Sequence, residues 1–250
     1  QRFTAEFSIR PFLRQHTQAT LERLQQWAFD PSEHVRRLVS EGTRPRLPWA
    51  SRIPAFQRDP TPVLALLELL QDDPALYVRR SVANNLNDIG KDHPALLITT
   101  AQRWMLNASP QRQWLVKHAL RSLIKAANPA ALAVLGYGEA ARVDVRNALI
   151  QPARVAIGGA VDLSFELHNP HPHHQAVLVD CQVFFVKANG KTSPKVFKLK
   201  ACELASGESI AVRKRISLAE MSTRQHYAGV HRVELLINGA VLPLGAFEVT

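Results

Sequence analysis

The chain lacks the features on which several function classes depend. Its 250 residues hold two cysteines, Cys181 and Cys202, too few and too isolated for a disulfide framework. No apolar run approaches the roughly 20 residues of a membrane-spanning helix, and no secretory signal is visible. A Gly-rich phosphate loop, a Gly-x-Ser-x-Gly nucleophile elbow and a zinc signature are all missing. His168, His171, His173 and His174, interspersed with Pro170 and Pro172, invite a metal reading. They have no cysteine partner and no regular spacing to converge the rings, so a loop is the better reading. These absences set aside membrane, disulfide-scaffold, P-loop and serine-hydrolase classes. They fit a soluble, reducing, cytoplasmic setting in which neither metal nor cofactor is needed. The chain opens at Gln1 rather than Met, and a further N-terminal piece is therefore expected.

Lysine is scarce where arginine is not. Residues 1–140 carry 15 Arg and 3 Lys against 12 acidic groups, and residues 141–250 carry 13 basic and 9 acidic groups. The whole chain has 31 Lys+Arg against 21 Asp+Glu, a formal +10. Guanidinium is planar and bidentate, the preferred partner of phosphate, so the arginine bias favours nucleic acid. Codon preference in a GC-rich genome is the alternative source of the same bias.

What is present is a phrase used twice. Asp30-Pro31-x-x-x-Val35-Arg36-Arg37-x-Val39 returns 43 residues later as Asp73-Pro74-x-x-x-Val78-Arg79-Arg80-x-Val82. A looser copy follows at Ser109-Pro110 and Leu115-x-Lys117-x-Ala119-Leu120. Self-similarity at this period implies stacked helix pairs, since one pair cannot bury its apolar face alone. Basic side chains on the second helix of each pair would line a concave groove. Pro31, Pro62, Pro74, Pro94, Pro110 and Pro129 fit first turns of helices. Gly42, Gly90 and Gly136 fit helix ends.

After about residue 141 the period drops to two. Val161, Leu163, Phe165 and Leu167 alternate with polar neighbours, as do Ile210, Val212 and Ile216, and Val233, Leu235 and Ile237. Asn189-Gly190, Asn238-Gly239 and Ser206-Gly207 read as hairpin turns. About seven strands predict an antiparallel sandwich, with Tyr227 at the position of a tyrosine corner in an immunoglobulin-like fold. The sequence therefore divides into a helical-repeat domain, 1–140, and a β-sandwich domain, 141–250.

The segment from Ser40 to Trp49, Ser-Glu-Gly-Thr-Arg-Pro-Arg-Leu-Pro-Trp, is unlike an ordinary repeat linker. Its prolines stiffen it, and Trp49 either plugs a gap between helix pairs or serves a site. Glu41 stands in the last turn of its helix, where the helix dipole disfavours an anion by about 0.3–1 kcal/mol. Asp88 has a nearly equivalent place in the next repeat. Two carboxylates set against the local field, in the repeats that carry Arg-Arg, point to use.

These residues carry a resemblance. Glu6-Phe7-x-Ile9-Arg10-Pro11, the Ser40–Trp49 loop, the run from Tyr77 to Asp88, and Trp114-x-x-Lys117-x-Ala119-Leu120 resemble the DNA alkylation repair glycosylases built from HEAT-like repeats. The similarity starts at Phe3, and the appended β domain makes the AlkC type the nearest pattern. The resemblance implies an α-solenoid of HEAT-like repeats followed by an antiparallel immunoglobulin-like β-sandwich. It also implies hydrolysis of the N-glycosidic bond of cationic alkylated bases, namely 3-methyladenine, 3-methylcytosine and 1-methyladenine, without base flipping. By motif match it puts catalytic roles on Glu6, Glu41 and Asp88, with Trp49 as an aromatic wall against the sugar. The expected partner is double-stranded DNA containing alkylated bases, bound by a monomer at the nucleoid, with no membrane. The helix-hairpin-helix pattern of base-flipping glycosylases is absent.

Phosphate contacts are expected from Arg44, Arg46, Arg79, Arg80, Lys117 and Arg121, some of which would instead form salt bridges between repeats. Arg213-Lys214-Arg215 and Lys195-x-x-Lys198-x-Lys200 either grip the far side of a duplex or are solvated strand faces. A non-catalytic HEAT-repeat scaffold, holding DNA or a protein partner, is the alternative function.

Overall fold

The structure, a computed structural model, describes residues 5–220 and 225–250; Phe3, where the resemblance starts, lies outside them. Two compact units are formed, Gln1–Ala126 and Ala127–Thr250. The first holds α1 (Ile9–Gln15), α2 (Thr17–Trp27), α3 (Glu33–Gly42), α4 (Pro54–Arg58), α5 (Thr61–Leu70), α6 (Leu76–Ile89), α7 (Pro94–Met105), α8 (Pro110–Ala119) and α9 (Arg121–Lys125). Apolar residues three and four apart make one buried stripe on each principal helix: Val63, Leu66, Leu67 and Leu70 on α5, and Val78, Val82, Leu86 and Ile89 on α6. The second helices of successive pairs stack, α3 on α6 and α6 on α8.

The repeated Asp-Pro phrase turns out to be an entry device placed ahead of the helix. Asp30 Oδ1 accepts from the Ser32 amide at 2.8 Å and Asp73 Oδ1 from the Ala75 amide at 2.9 Å, the local bond by which Asp organises a turn. Pro31 and Pro74 therefore precede α3 and α6, whereas Pro94 and Pro110 begin α7 and α8 as expected. In the third copy Ser109 Oγ caps α8 by accepting from the Arg112 amide at 3.2 Å. The copies are tied together by Arg36, whose Nε lies 2.6 Å from Asp73 Oδ2 while its Nη1 donates to the Asp30 and Pro31 carbonyls.

Gly42 and Gly90 have a different reason from the expected left-handed helix end. A Cβ on Gly42 would lie 2.5 Å from Ile9 Cγ2, and one on Gly90 2.3 Å from Leu97 Cδ2. Both admit a neighbouring helix, and Gly90 keeps a helical φ of −63°. Gly136, at φ +84°, does end a helix in the expected way.

The second unit opens with α10 (Pro129–Val134) and continues with β1 (Asp144–Gln151), β2 (Arg154–Val155), β3 (Ala160–His168), β4 (Gln175–Val186), β5 (Thr192–Leu204), β6 (Ser209–Ser217), β7 (Gly229–Ile237) and β8 (Ala240–Val249). One sheet has the order β1-β3-β6 and the other β2-β8-β7-β4-β5. Pairing is antiparallel except between the short β2 and β8. The alternating apolar residues of β3, β4 and β7 form the core between the sheets, with Val161, Leu163, Leu167, Val179, Val183, Val233 and Leu235 at 0–1% exposure. Each such burial contributes roughly 1.5–3 kcal/mol.

Asn189-Gly190 and Asn238-Gly239 join paired strands as expected. Ser206-Gly207 does not make a hairpin; β5 and β6 belong to different sheets, so this turn carries the chain across the sandwich. Tyr227 bonds the side chain of Gln225 at 3.0 Å; residues 221–224, just upstream, where the main-chain partner of a tyrosine corner would be sought, lie outside the described residues.

His231 is fully buried in this core, stacked on Phe247 with 5.2 Å between ring centres and edge-on to Phe185 at 5.5 Å. Nδ1 lies 3.0 Å from the Gly229 carbonyl oxygen, and Nε2 is buried without a hydrogen-bond partner among the described residues. Burial lowers its pKa, partly offset by the Gly229 bond. The unfolded chain therefore binds the extra proton first, so this contribution to stability is complete above about pH 6.5 and is lost as pH falls towards the lowered folded value. Thermal denaturation of the wild type and of His231→Phe between about pH 5 and pH 7.5 should show a flatter pH dependence in the variant. Parallel curves would show that His231 is not the group responsible.

Candidate active site

Glu41 and Asp88 each occupy the next-to-last position of their helix, α3 and α6. By the 43-residue period Glu41 aligns with Asn84, and Asp88 lies one turn further on. The extra length of α6, 14 residues against 10 in α3, provides that turn. Across the stacked pair the two carboxylates are bridged by one side chain. Arg44 Nη1 lies 2.7 Å from Glu41 Oε1, and Arg44 Nε lies 2.8 Å from Asp88 Oδ2. The carboxylates are thus one guanidinium apart, buried to 7% and 1% exposure. Burial acts to lower the Arg44 pKa, and its bonds to Asp88 and Glu41 overcome this and leave it raised.

The remaining oxygens are also held. Ser81 Oγ donates to Glu41 Oε2 at 2.7 Å and accepts from Ser40 Oγ at 2.8 Å. Lys91 Nζ lies 3.0 Å from Asp88 Oδ1. Glu6, in the turn before α1, is 8% exposed with Oε2 3.4 Å from Arg37 Nη1, and Arg37 Nη2 lies 3.7 Å from Glu41 Oε1. The Arg37 guanidinium also stands 4.7 Å over the Tyr77 ring. All three sequence-derived carboxylates therefore join one network, in which Arg37, Arg44 and Lys91 balance Glu6, Glu41 and Asp88 in formal charge.

Trp49 lies on the loop that follows. It is fully exposed and adopts φ +61°, a left-handed conformation unusual for a bulky residue. The gap-filling alternative for Trp49 is therefore excluded. The loop is anchored instead by Leu47 and Ile53, at 6% and 1% exposure, and by the Ile53 amide donating to the Pro45 carbonyl at 3.3 Å.

The six arginines and lysines expected to contact phosphate are treated differently by the fold. Arg80 and Lys117 are exposed. Arg46 pairs with both oxygens of Asp92, which raises its pKa and lowers that of the carboxylate. Arg79 folds back on the start of its own helix, with Nη1 2.6 Å from the Asp73 carbonyl and 2.8 Å from that of Pro74, as Arg36 does one repeat earlier. This is a strut rather than an outward-facing contact, because the first Arg of each Val-Arg-Arg sits over the Asp-Pro turn. Arg121 donates to Asn84 Oδ1 at 3.0 Å and to the His118 carbonyl at 2.6 Å; burial lowers its pKa. On the second unit, Lys195 and Lys214 approach one ring, 4.9 and 6.0 Å from the centre of Phe197.

Sequence reasoning missed Arg37, Ser81 and Lys91 as parts of the network. Arg37 was visible as the second Arg of the first repeat phrase; nothing local marked Ser81 or Lys91. Among the described residues no cluster of three or more His, Cys, Asp or Glu is arranged to hold a metal, and no helix is long and apolar enough to cross a membrane.

A solved Pseudomonas fluorescens structure, the alkylpurine DNA glycosylase AlkC bound to DNA containing an abasic site analog, is 44% identical to this chain. It superposes with a TM-score of 0.95 over 98% of this chain and 68% of its own. The chain belongs to the AlkC family. A Bacillus subtilis (strain 168) relative, "Uncharacterized protein YhaZ", is 42% identical over 246 residues, covering 98% of this AlkC-family chain and 68% of the relative. Residues 144–250 match the family model described as "Uncharacterised protein YhaZ, C-terminal Ig-like domain". The helical repeats and the immunoglobulin-like β unit of this AlkC-family chain are thus the expected fold.

Removing the shared guanidinium tests the network. Arg44→Met should leave two buried carboxylates without their common partner and lower stability by about 3–5 kcal/mol, read by urea unfolding. A loss below about 1 kcal/mol would mean that the pairing is worth no more than a surface ion pair.

Proposed function

We propose that this chain is a DNA glycosylase that releases cationic alkylated bases, 3-methyladenine, 3-methylcytosine and 1-methyladenine, from double-stranded DNA by hydrolysis. The observation that carries this reading is the placement of Glu41 and Asp88 on the two sides of one guanidinium, with the exposed Trp49 on the adjoining loop.

A base that already bears positive charge is a good leaving group and needs no general acid. As it departs, the sugar becomes an oxocarbenium ion. Fixed carboxylates near C1′ stabilise that charge and orient or deprotonate the attacking water. This is glycoside hydrolysis with its acid half omitted. An indole face against the sugar adds about 1–2 kcal/mol of cation–π attraction. A wall of this kind needs no enclosing base pocket, consistent with action on a stacked nucleotide, unlike the extrahelical pockets of base-flipping enzymes. Exposed Arg80 and Lys117 supply phosphate contacts that position the duplex without reading sequence.

Arg44 has two roles in this scheme. It holds the carboxylates in register, and its own charge repels a sugar cation unless the guanidinium turns towards a phosphate when DNA arrives. The protein is proposed to act as a monomer on nucleoid DNA. In this scheme water is the nucleophile, the base is already cationic before it leaves, and the carboxylates serve the sugar, so no step calls for a metal or cofactor.

Methylated duplex DNA incubated with the protein should release these bases, identified by chromatography. Asp88→Asn and Glu41→Gln should each lower the release rate by about 10²–10³-fold, the scale of losing one preorganised electrostatic group, with DNA affinity within about twofold. Release that survives both substitutions would leave a DNA-holding repeat scaffold as the better reading. Affinity should also fall with salt, log K against log salt having a slope of about −0.9 per phosphate contacted; a flat dependence would favour a protein partner.

A further inference from the structure

The loop that carries Trp49 is closed by a single buried side chain from α1. Arg10, 3% exposed, donates through Nη1 to the carbonyls of Gly42 at 3.0 Å and Arg44 at 2.9 Å. Its Nε and Nη2 both donate to the Ser51 carbonyl, at 3.2 and 2.7 Å. One guanidinium therefore holds the two ends of segment 42–51. One turn on, Arg14 Nη2 adds bonds to Ser51 Oγ and to the Arg52 carbonyl, each 2.6 Å. The close approach of α1 depends on Gly42, where a Cβ would strike Ile9 Cγ2.

Among the described residues, all of Arg10's hydrogen bonds go to main-chain carbonyls. Burying a cation in this way is costly. The cost shows in its pKa, lowered to about 10 first by burial and then by the like charges of Arg14 and Arg44. Closing a surface loop does not by itself require a charge. The planar fork has a geometric advantage: three nitrogens at fixed angles reach three carbonyls at once, which an ammonium or an amide cannot do. Trp49 has no packing of its own, being fully exposed at φ +61°. Its position is therefore set by the loop, which is anchored by Leu47 and Ile53 and whose two ends are joined by Arg10.

We propose that Arg10 is a positioning residue: by clamping segment 42–51 it fixes the Trp49 indole relative to Glu41 and Arg44. This rests on the reading of Trp49 as the wall against the sugar, but the clamp itself is measurable without activity. In the full chain, Arg10→Gln and Arg10→Lys should speed hydrogen exchange at the loop amides of Ala50 and Ile53 by about tenfold or more, with the stacked helices unchanged. Unchanged exchange there would overturn the clamp.

With methylated DNA, both variants should lower kcat by about 10–100-fold, the penalty of misplacing a reacting group by about 1 Å, while KM stays within about twofold. In a Trp49→Ala background, Arg10→Gln should cost less than about threefold more, because the two changes remove one function. Losses that multiply would instead show a general folding defect and overturn the proposal. Should the Arg10 variants not fold, Arg14→Ala, which removes only the exposed bonds at the Ser51 end, should give the same pattern at smaller size; no effect on exchange or kcat would overturn it. A wild type that releases no base would defeat the glycosylase reading, and the exchange result would still decide the clamp.

Discussion

A single guanidinium decides how the two catalytic candidates stand to one another. Glu41 and Asp88 come from helices in successive repeats, and their mutual repulsion would drive them apart if they were left alone. Arg44, placed three residues after Glu41 at the helix end, reaches back to one carboxylate and across to the other. The shared bond converts two like charges into a fixed pair. It also makes the pair stable only in the presence of that cation, since breaking a buried ion pair leaves an uncompensated charge. Ser81 and Lys91 then fix which oxygen of each carboxylate faces which neighbour.

The same repeat phrase supplies both scaffold and site. In each Val-Arg-Arg the first Arg turns back over the Asp-Pro turn: Arg36 joins Asp73 of the next repeat, and Arg79 joins the carbonyls of Asp73 and Pro74. The second Arg points the other way. Arg37 lies against Glu6, Glu41 and the Tyr77 ring, and Arg80 is exposed. Adjacent helix positions are about 100° apart, so two successive arginines cannot share a face. One is therefore free for bonding to its own or the next repeat while the other faces Glu6 and Glu41, as Arg37 does, or solvent, as Arg80 does.

Much of this was readable in order along the chain. Helical spacing at Val63–Leu70 and Val78–Leu86 marked the stacked pairs, and strict alternation at Val161–Leu167 marked the sandwich, because burial on one face imposes the period of the element. The turns at Asn189-Gly190 and Asn238-Gly239 were marked by the dipeptide, whose glycine takes the positive φ that the structure shows at both. The reasons behind Gly42 and Gly90 were not, since a close approach depends on how a neighbouring helix packs back; only the structure puts Ile9 and Leu97 there. Ser206-Gly207 was misread for the same reason. A turn signal gives a reversal of direction, not the sheet into which the next strand goes.

Sequence alone determined the period of the repeats, the change from helix to strand, and the presence of carboxylates where helix dipoles disfavour them. Each depends on neighbours within a few residues, or on a recurring spacing, and so is written locally. Which arginine meets which carboxylate was decided only by the tertiary structure. Arg44 and Asp88 are 44 positions apart, and Arg10 and Ser51 are 41 apart; a charged side chain has no partner preference until the backbone brings one within about 3 Å. Trp49 shows the limit most directly: its residue type and flanking prolines were compatible with a buried plug, and only the path of the folded loop left it facing solvent.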